Sequence, residues 1–116
     1  MDIEVILKIC RELPSVTEGI KWGSDLCFMV GDKMFCVVLL DGPVKVSFKV
    51  PDEEFAELSN SVGIIPAPYA ARHKWILVED IKVFSEKKWN HYINQSYNLV
   101  KSKLSKKKQA GLGLKK

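Results

Sequence analysis

Histidine, cysteine and C-terminal acid are scarce in this sequence. His73 and His91 are its only imidazoles. They do not form the His-x-x-x-His pair that could share a metal from one helix face. Gly-x-Ser-x-Gly is absent, and so is any glycine-rich phosphate loop. Neither a serine-hydrolase elbow nor a nucleotide cradle is therefore encoded. The acids Asp52, Glu53, Glu54 and Glu57 fall on one short predicted helix, where they complement the helix dipole. Catalysis needs convergent titratable groups. The expectation is a protein that is not an enzyme, with no catalytic residue, no resident metal and no cofactor.

Three cysteines are present, Cys10, Cys27 and Cys36, with no Cys-x-x-Cys spacing. An odd count outside a small secreted scaffold points to buried, reduced thiols. No apolar run approaches the roughly 20 residues of a membrane span. The opening Met1-Asp2-Ile3-Glu4 is acidic, where a secretion signal would be basic. A cytoplasmic protein with no membrane partner is expected, and nothing in the pattern specifies an oligomeric state.

The last sixteen residues hold no acid and seven lysines: Lys101, Lys103, Lys106, Lys107, Lys108, Lys115 and Lys116. The whole chain carries 18 basic and 14 acidic groups, so residues 1–100 hold 11 basic against 14 acidic groups, a net of −3. A pI near 9.0 suggests a polyanionic partner, but that signal comes from the tail. The expected organisation is one domain over 1–107, followed by a flexible lysine-rich tail over 108–116.

The rest of the pattern is that of an ordinary globular chain, 47% hydrophobic and 28% charged. Ile3, Ile6, Leu7, Cys10 and Leu13 recur at helical spacing, with Asp2 as the cap and Pro14 as the stop. A short strand at Ile20-Lys21-Trp22 precedes three strands between residues 26 and 50. Gly31-Asp32 fits a two-residue hairpin turn, whereas Pro43 calls for a longer loop. Asp52 is the expected cap of a short helix. Residues 59–71 read as a loop with one extended piece at Ile64-Ile65. Trp75–Val78 reads as the last strand. Ser85 caps a final helix striped by Trp89, Ile93, Tyr97, Val100 and Leu104. The order α-β-β-β-β-α-β-α with short turns predicts an α+β two-layer sandwich. Its antiparallel sheet is covered on one face by the N- and C-terminal helices.

A two-residue turn at Gly31-Asp32 pairs Val30 with Lys33, Met29 with Met34, Phe28 with Phe35 and Cys27 with Cys36. Opposed Cys27 and Cys36 could form a disulfide. With Met29 and Met34 they also make a soft ligand set suited to Cu(I). The third reading, apolar side chains packing a core, is favoured because soft residues on an apolar strand are mostly packing.

A binding surface is better supported than a reactive one. Lys45, Ser47 and Lys49 alternate with Val44, Val46, Phe48 and Val50, so one strand face is core and the other is expected to be wet and basic. Arg72, His73 and Lys74 add donors in a loop that also carries Tyr69. Basic groups beside exposed aromatics suit phosphate and base contacts; lysines that merely solubilise a surface are the competing reading. The candidate nucleic-acid-binding residues are Lys33, Lys45, Lys49, Arg72, His73 and Lys74 in the body, with Lys103, Lys106, Lys107 and Lys108 in the tail.

Trp22-Gly23, Phe28, Lys33-Met34-Phe35, Val46-Ser47-Phe48-Lys49, Pro66-Ala67-Pro68-Tyr69, Lys74-Trp75 and Ser96-Tyr97, in that order, resemble the MmcQ/YjbR family of small bacterial proteins. The resemblance spans nearly the whole chain to about Lys107. It implies a CyaY-like (frataxin-like) fold and a "double wing" mode of DNA binding, with Lys33, Lys49 and Lys74 at matching basic positions. Frataxin-like iron binding would need an acidic first helix. Here that helix offers only Asp2, Glu4 and Glu12 among Lys8 and Arg11, and it is not expected. The functional expectation is DNA binding, mainly through phosphates. The alternative is a protein- or small-molecule-binding module using the exposed sheet face near Tyr69 and Trp75.

Overall fold

Pro14 stops the first helix and lets the chain turn straight into a sheet. The computed structural model describes residues 3–68 and 70–113. Helix α1 (Ile3–Arg11) buries Ile6, Leu7 and Cys10. Strands β1 (Val16–Lys21), β2 (Asp25–Val30), β3 (Lys33–Leu39) and β4 (Lys45–Lys49) follow. Next come α2 (Asp52–Ser59), β5 (Ile64–Pro66), β6 (Trp75–Val78), α3 (Glu86–Ser102) and α4 (Lys106–Gly111). The six strands lie in the order β1-β2-β3-β4-β6-β5, and every pairing is antiparallel. This is the two-layer α+β architecture expected, with β5 as an added edge strand and α4 as an added helix.

Helices α1 and α3 cover one face of the sheet. The core there gathers Ile6, Cys10, Phe28, Phe35, Val38, Val46, Phe48 and Trp89, all fully buried. Trp89 stands edge-on to Phe48 at 5.9 Å and to Phe84 at 5.1 Å, and its indole N–H donates to the Ile81 carbonyl at 2.8 Å. The Tyr97 hydroxyl donates to the Pro14 carbonyl at 2.6 Å, tying α3 to the end of α1. Ser85 caps α3 as expected, accepting from the Lys88 N–H at 3.2 Å. Asp52 does not cap α2. Pro51 holds the N-cap position with extended backbone, which leaves Asp52 inside the first turn, where its charge alone is favourable. The expected cap Asp2 lies outside the described residues.

The β2–β3 hairpin departs from the expected register. Gly31 and Asp32 form the two-residue turn, with φ of 57° and 69°, and Val30 pairs with Lys33 and Met29 with Met34. A bulge then intervenes, so Phe28 faces Cys36 and Cys27 faces Val37. A bulge places two residues of one strand opposite one of the other. Here it lets both Phe35 and Cys36 join the helix-side core, with Phe35 edge-on to Tyr97 at 5.3 Å. Burying two adjacent apolar side chains outweighs the regular ladder. Cys27, flanked by the core residues Leu26 and Phe28, points to the other face. The Cys27–Cys36 disulfide and the four-residue soft ligand set are thereby excluded, and all three cysteines are free and buried. Cys36 hydrogen-bonds with Cys10, and this together with burial pushes its thiol well above the ordinary range; burial also raises Cys27. All three thiols are expected to stay silent to an aromatic disulfide reagent in the native state and to react on unfolding. Rapid reaction of any of them in native buffer would contradict this packing.

Candidate functional site

The segments Met34–Leu39 and Trp75–Val78 are unbroken apolar runs, the mark of strands buried on both faces. Gly19, Cys27, Val37, Ser47, Leu77 and Ile65 align as one row across the six strands. Cys27, Val37, Ser47 and Leu77 in that row are buried, although α1 and α3 lie on the opposite face. The expectation of a wet, basic face is corrected here. Ser47 is 8% exposed and donates its hydroxyl hydrogen to the Ile76 carbonyl at 2.9 Å. Apolar neighbours on β3 and β6 enclose it.

This face forms a groove of about 1020 Å³. Met34, Val37, Leu39 and Leu77 make its floor, and Ala67, Pro68, Ala70 and Trp75 line one side. Trp22 and Asp25 stand at the end near the β1–β2 turn, while Lys33, Lys49, Lys103 and His73 gather at the opposite end.

The basic end exists because the sheet is opened there. Regular β3–β4 pairing ends at Cys36–Phe48, next to the bulge. The fully buried Ser96 of α3 fills the gap. Its hydroxyl donates to the Phe35 carbonyl at 2.6 Å and accepts from the Lys49 N–H at 3.0 Å. Val100 and Lys103, in and just beyond α3, therefore reach the groove beside Lys33 and Lys49. Ser96→Ala leaves two buried backbone groups unpaired, at roughly 1–3 kcal/mol each. A loss of about 2 kcal/mol or more in urea unfolding is expected; an unchanged midpoint would show that Ser96 is not the bridge.

The Lys49 ammonium donates to the His73 carbonyl. Burial holds this amine below the ordinary lysine range, and Lys103 and then Lys74 press in the same direction against the opposing Asp52. The unfolded state thus binds more protons just below the ordinary lysine value, and stability rises with pH across that window. Subtracting the profile of Lys49→Gln from that of the wild type should isolate this rise. A flat difference would mean that Lys49 is not penalised by its neighbours.

The other candidate residues of the body and tail do not join this cluster. Lys45 pairs with Leu39 at the far end of β4, roughly 13 Å along the strand from Lys49. Arg72 is exposed in a short 3-10 helix, Ala71–His73, and does not line the groove. Lys74 holds its ammonium 5.2 Å over the Phe55 ring. Lys106 and Lys107 are exposed on α4, and Lys108 pairs with Asp32 at 3.0 Å. Tyr69 lies outside the described residues.

The boundary drawn at 107/108 falls inside α4, which is docked. The Ser15 hydroxyl donates to the Leu112 carbonyl at 2.7 Å, and the Gln109 amide to the Leu104 carbonyl at 2.9 Å. Leu104 and Leu112 close over Gly31, where a Cβ would lie 2.7 Å from a Leu104 methyl. Gly31 therefore serves both the turn and this close approach.

Trp22, Lys103 as a partner of Lys49, and the apolar floor went unrecognised in the sequence as parts of one site. Trp22-Gly23 carried a usable signal, since both residues have positive φ, 51° and 88°. Such a conformation is a rare outlier for a bulky side chain. Among the described residues no group of three or more His, Cys, Asp or Glu could hold a metal, and no helix is long and apolar enough to cross a membrane.

A six-stranded antiparallel sheet with both terminal helix systems on one face and a groove on the other defines a two-layer α+β domain with an open sheet face. The chain belongs to the YjbR family, whose model matches residues 11–99. It is similar to a crystal structure of a Deinococcus radiodurans protein containing the domain DUF419, with a TM-score of 0.86 and 24% identity over 97% of this chain and 88% of that one. A Pseudomonas syringae protein of known crystal structure is also similar, with a TM-score of 0.71 and 18% identity over 86% of this chain and 99% of that one. No curated protein matches the chain.

Proposed function

We propose that this YjbR-family chain is a non-enzymatic DNA-binding protein that holds phosphates at the basic end of its open sheet face. The observation that carries this reading is the convergence of Lys33, Lys49 and Lys103 from three separate elements onto one end of the groove. Like charges held together against partial burial, as at Lys49, are relieved by an anion. Lys106 and Lys107 on the neighbouring α4 extend the positive surface. The free, buried thiols support residence in a reducing compartment such as the cytoplasm.

Fluorescence anisotropy with a labelled DNA fragment tests the reading. Each phosphate contact contributes roughly −0.9 to the slope of log affinity against log salt, so three contacts give about −3 and the α4 lysines steepen it. No binding at low salt would overturn the proposal.

A further inference from the structure

We propose that the groove itself is a binding site for a small aromatic anion, a phosphate or carboxylate at one end of a flat apolar body. This goes beyond nucleic-acid binding and stands on the joining of a lysine cluster to an apolar floor. Lys33, Lys49 and Lys103 converge at one end of the groove, whereas at the other end Asp25 shares a cross-strand row with Lys21, Leu39 and Lys45, so its carboxylate is offset by two lysines. A ligand with one anionic end matches the single unopposed cluster. Between the ends the floor follows the six residues of β3 from Met34 to Leu39, or roughly 17 Å. The volume of about 1020 Å³ is at the upper end of the roughly 300–1,000 Å³ typical of small-molecule sites.

The two tryptophans favour an aromatic body. Trp75 lines the basic half and Trp22 the far end, and indole faces pair well with flat rings. Trp22 is 71% exposed and keeps a left-handed backbone at φ 51°. A bulky side chain rarely adopts that conformation, and such outliers cluster at ligand clamps.

The test is a titration of the full chain with 1-naphthyl phosphate, read by tryptophan fluorescence and calorimetry, beside 1-naphthol and inorganic phosphate. Binding at least tenfold tighter than either half-molecule is expected. Lys49→Gln and Trp75→Ala should each weaken it by about tenfold, the first by losing a charge-assisted contact and the second by losing a stacking face beside it. Both positions are at least partly exposed, and thermal melts will verify that the variants fold. Equal binding of 1-naphthol, unchanged affinity in both variants, or a dimer in which a second copy covers the groove would overturn the inference. DNA binding without naphthyl phosphate binding would overturn this inference alone. Naphthyl phosphate binding without DNA binding would overturn only the nucleic-acid reading.

Discussion

Replacing Lys33, Lys49 and Lys103 together by glutamine is expected to abolish most of the salt-sensitive DNA affinity. Three phosphate contacts correspond to a loss of roughly 40-fold in wild-type affinity between about 50 and 200 mM salt. The triple variant should lose only what the α4 lysines contribute, so its salt slope should fall by about 3 units. All three residues are at the groove's basic end, and none is fully buried, so the fold should survive. The companion variant Lys106→Gln/Lys107→Gln should reduce the slope by at most about 2 units. If that companion removed all binding and the triple variant removed none, the contact would belong to α4 rather than to the groove.

Trp89→Ala should be the most damaging single substitution to stability. Trp89 is fully buried and the largest such side chain among the described residues. It contacts Phe48 and Phe84 edge-on and satisfies the Ile81 carbonyl. Truncating a buried tryptophan costs about 3–5 kcal/mol, a large share of a domain's usual margin of roughly 5–15 kcal/mol. A fall in Tm of roughly 15 °C or more is expected, measured by calorimetry. Trp89→Phe keeps the ring but loses the indole donor and should fall between the two. A shift of only a few degrees for Trp89→Ala would contradict the packing described between α3 and the sheet.

The strands and helices were legible because their periods were clean. Trp89, Ile93, Tyr97 and Val100 keep helical spacing and are buried together, and Val46 and Phe48 reach the core as their alternation implies, although Ser47 between them is buried too. The β2–β3 register was not legible. A bulge depends on what Phe35 and Cys36 find across the core, namely Tyr97 and Cys10, and these are distant in sequence. The same holds for the basic end of the groove. Lys103 reads as part of a lysine tail, and only the Ser96 bridge between Phe35 and Lys49 explains why α3 brings it beside Lys33 and Lys49. The boundary at 107/108 was misplaced because a run of lysines hides Leu112, which packs against the core. The apolar floor was visible in principle: Val37 and Leu77 sit in runs with no polar alternation, a pattern that marks burial on both faces.

Chemical-shift mapping of the isotopically labelled chain during titration with a short DNA fragment tests the central claim most directly. The account predicts that the largest backbone shifts fall at Lys33, Met34, Lys49, His73 and Lys103, which line one end of the groove, and that they fade as salt rises. Shifts confined to residues 106–113, or no shifts at low salt, would contradict it.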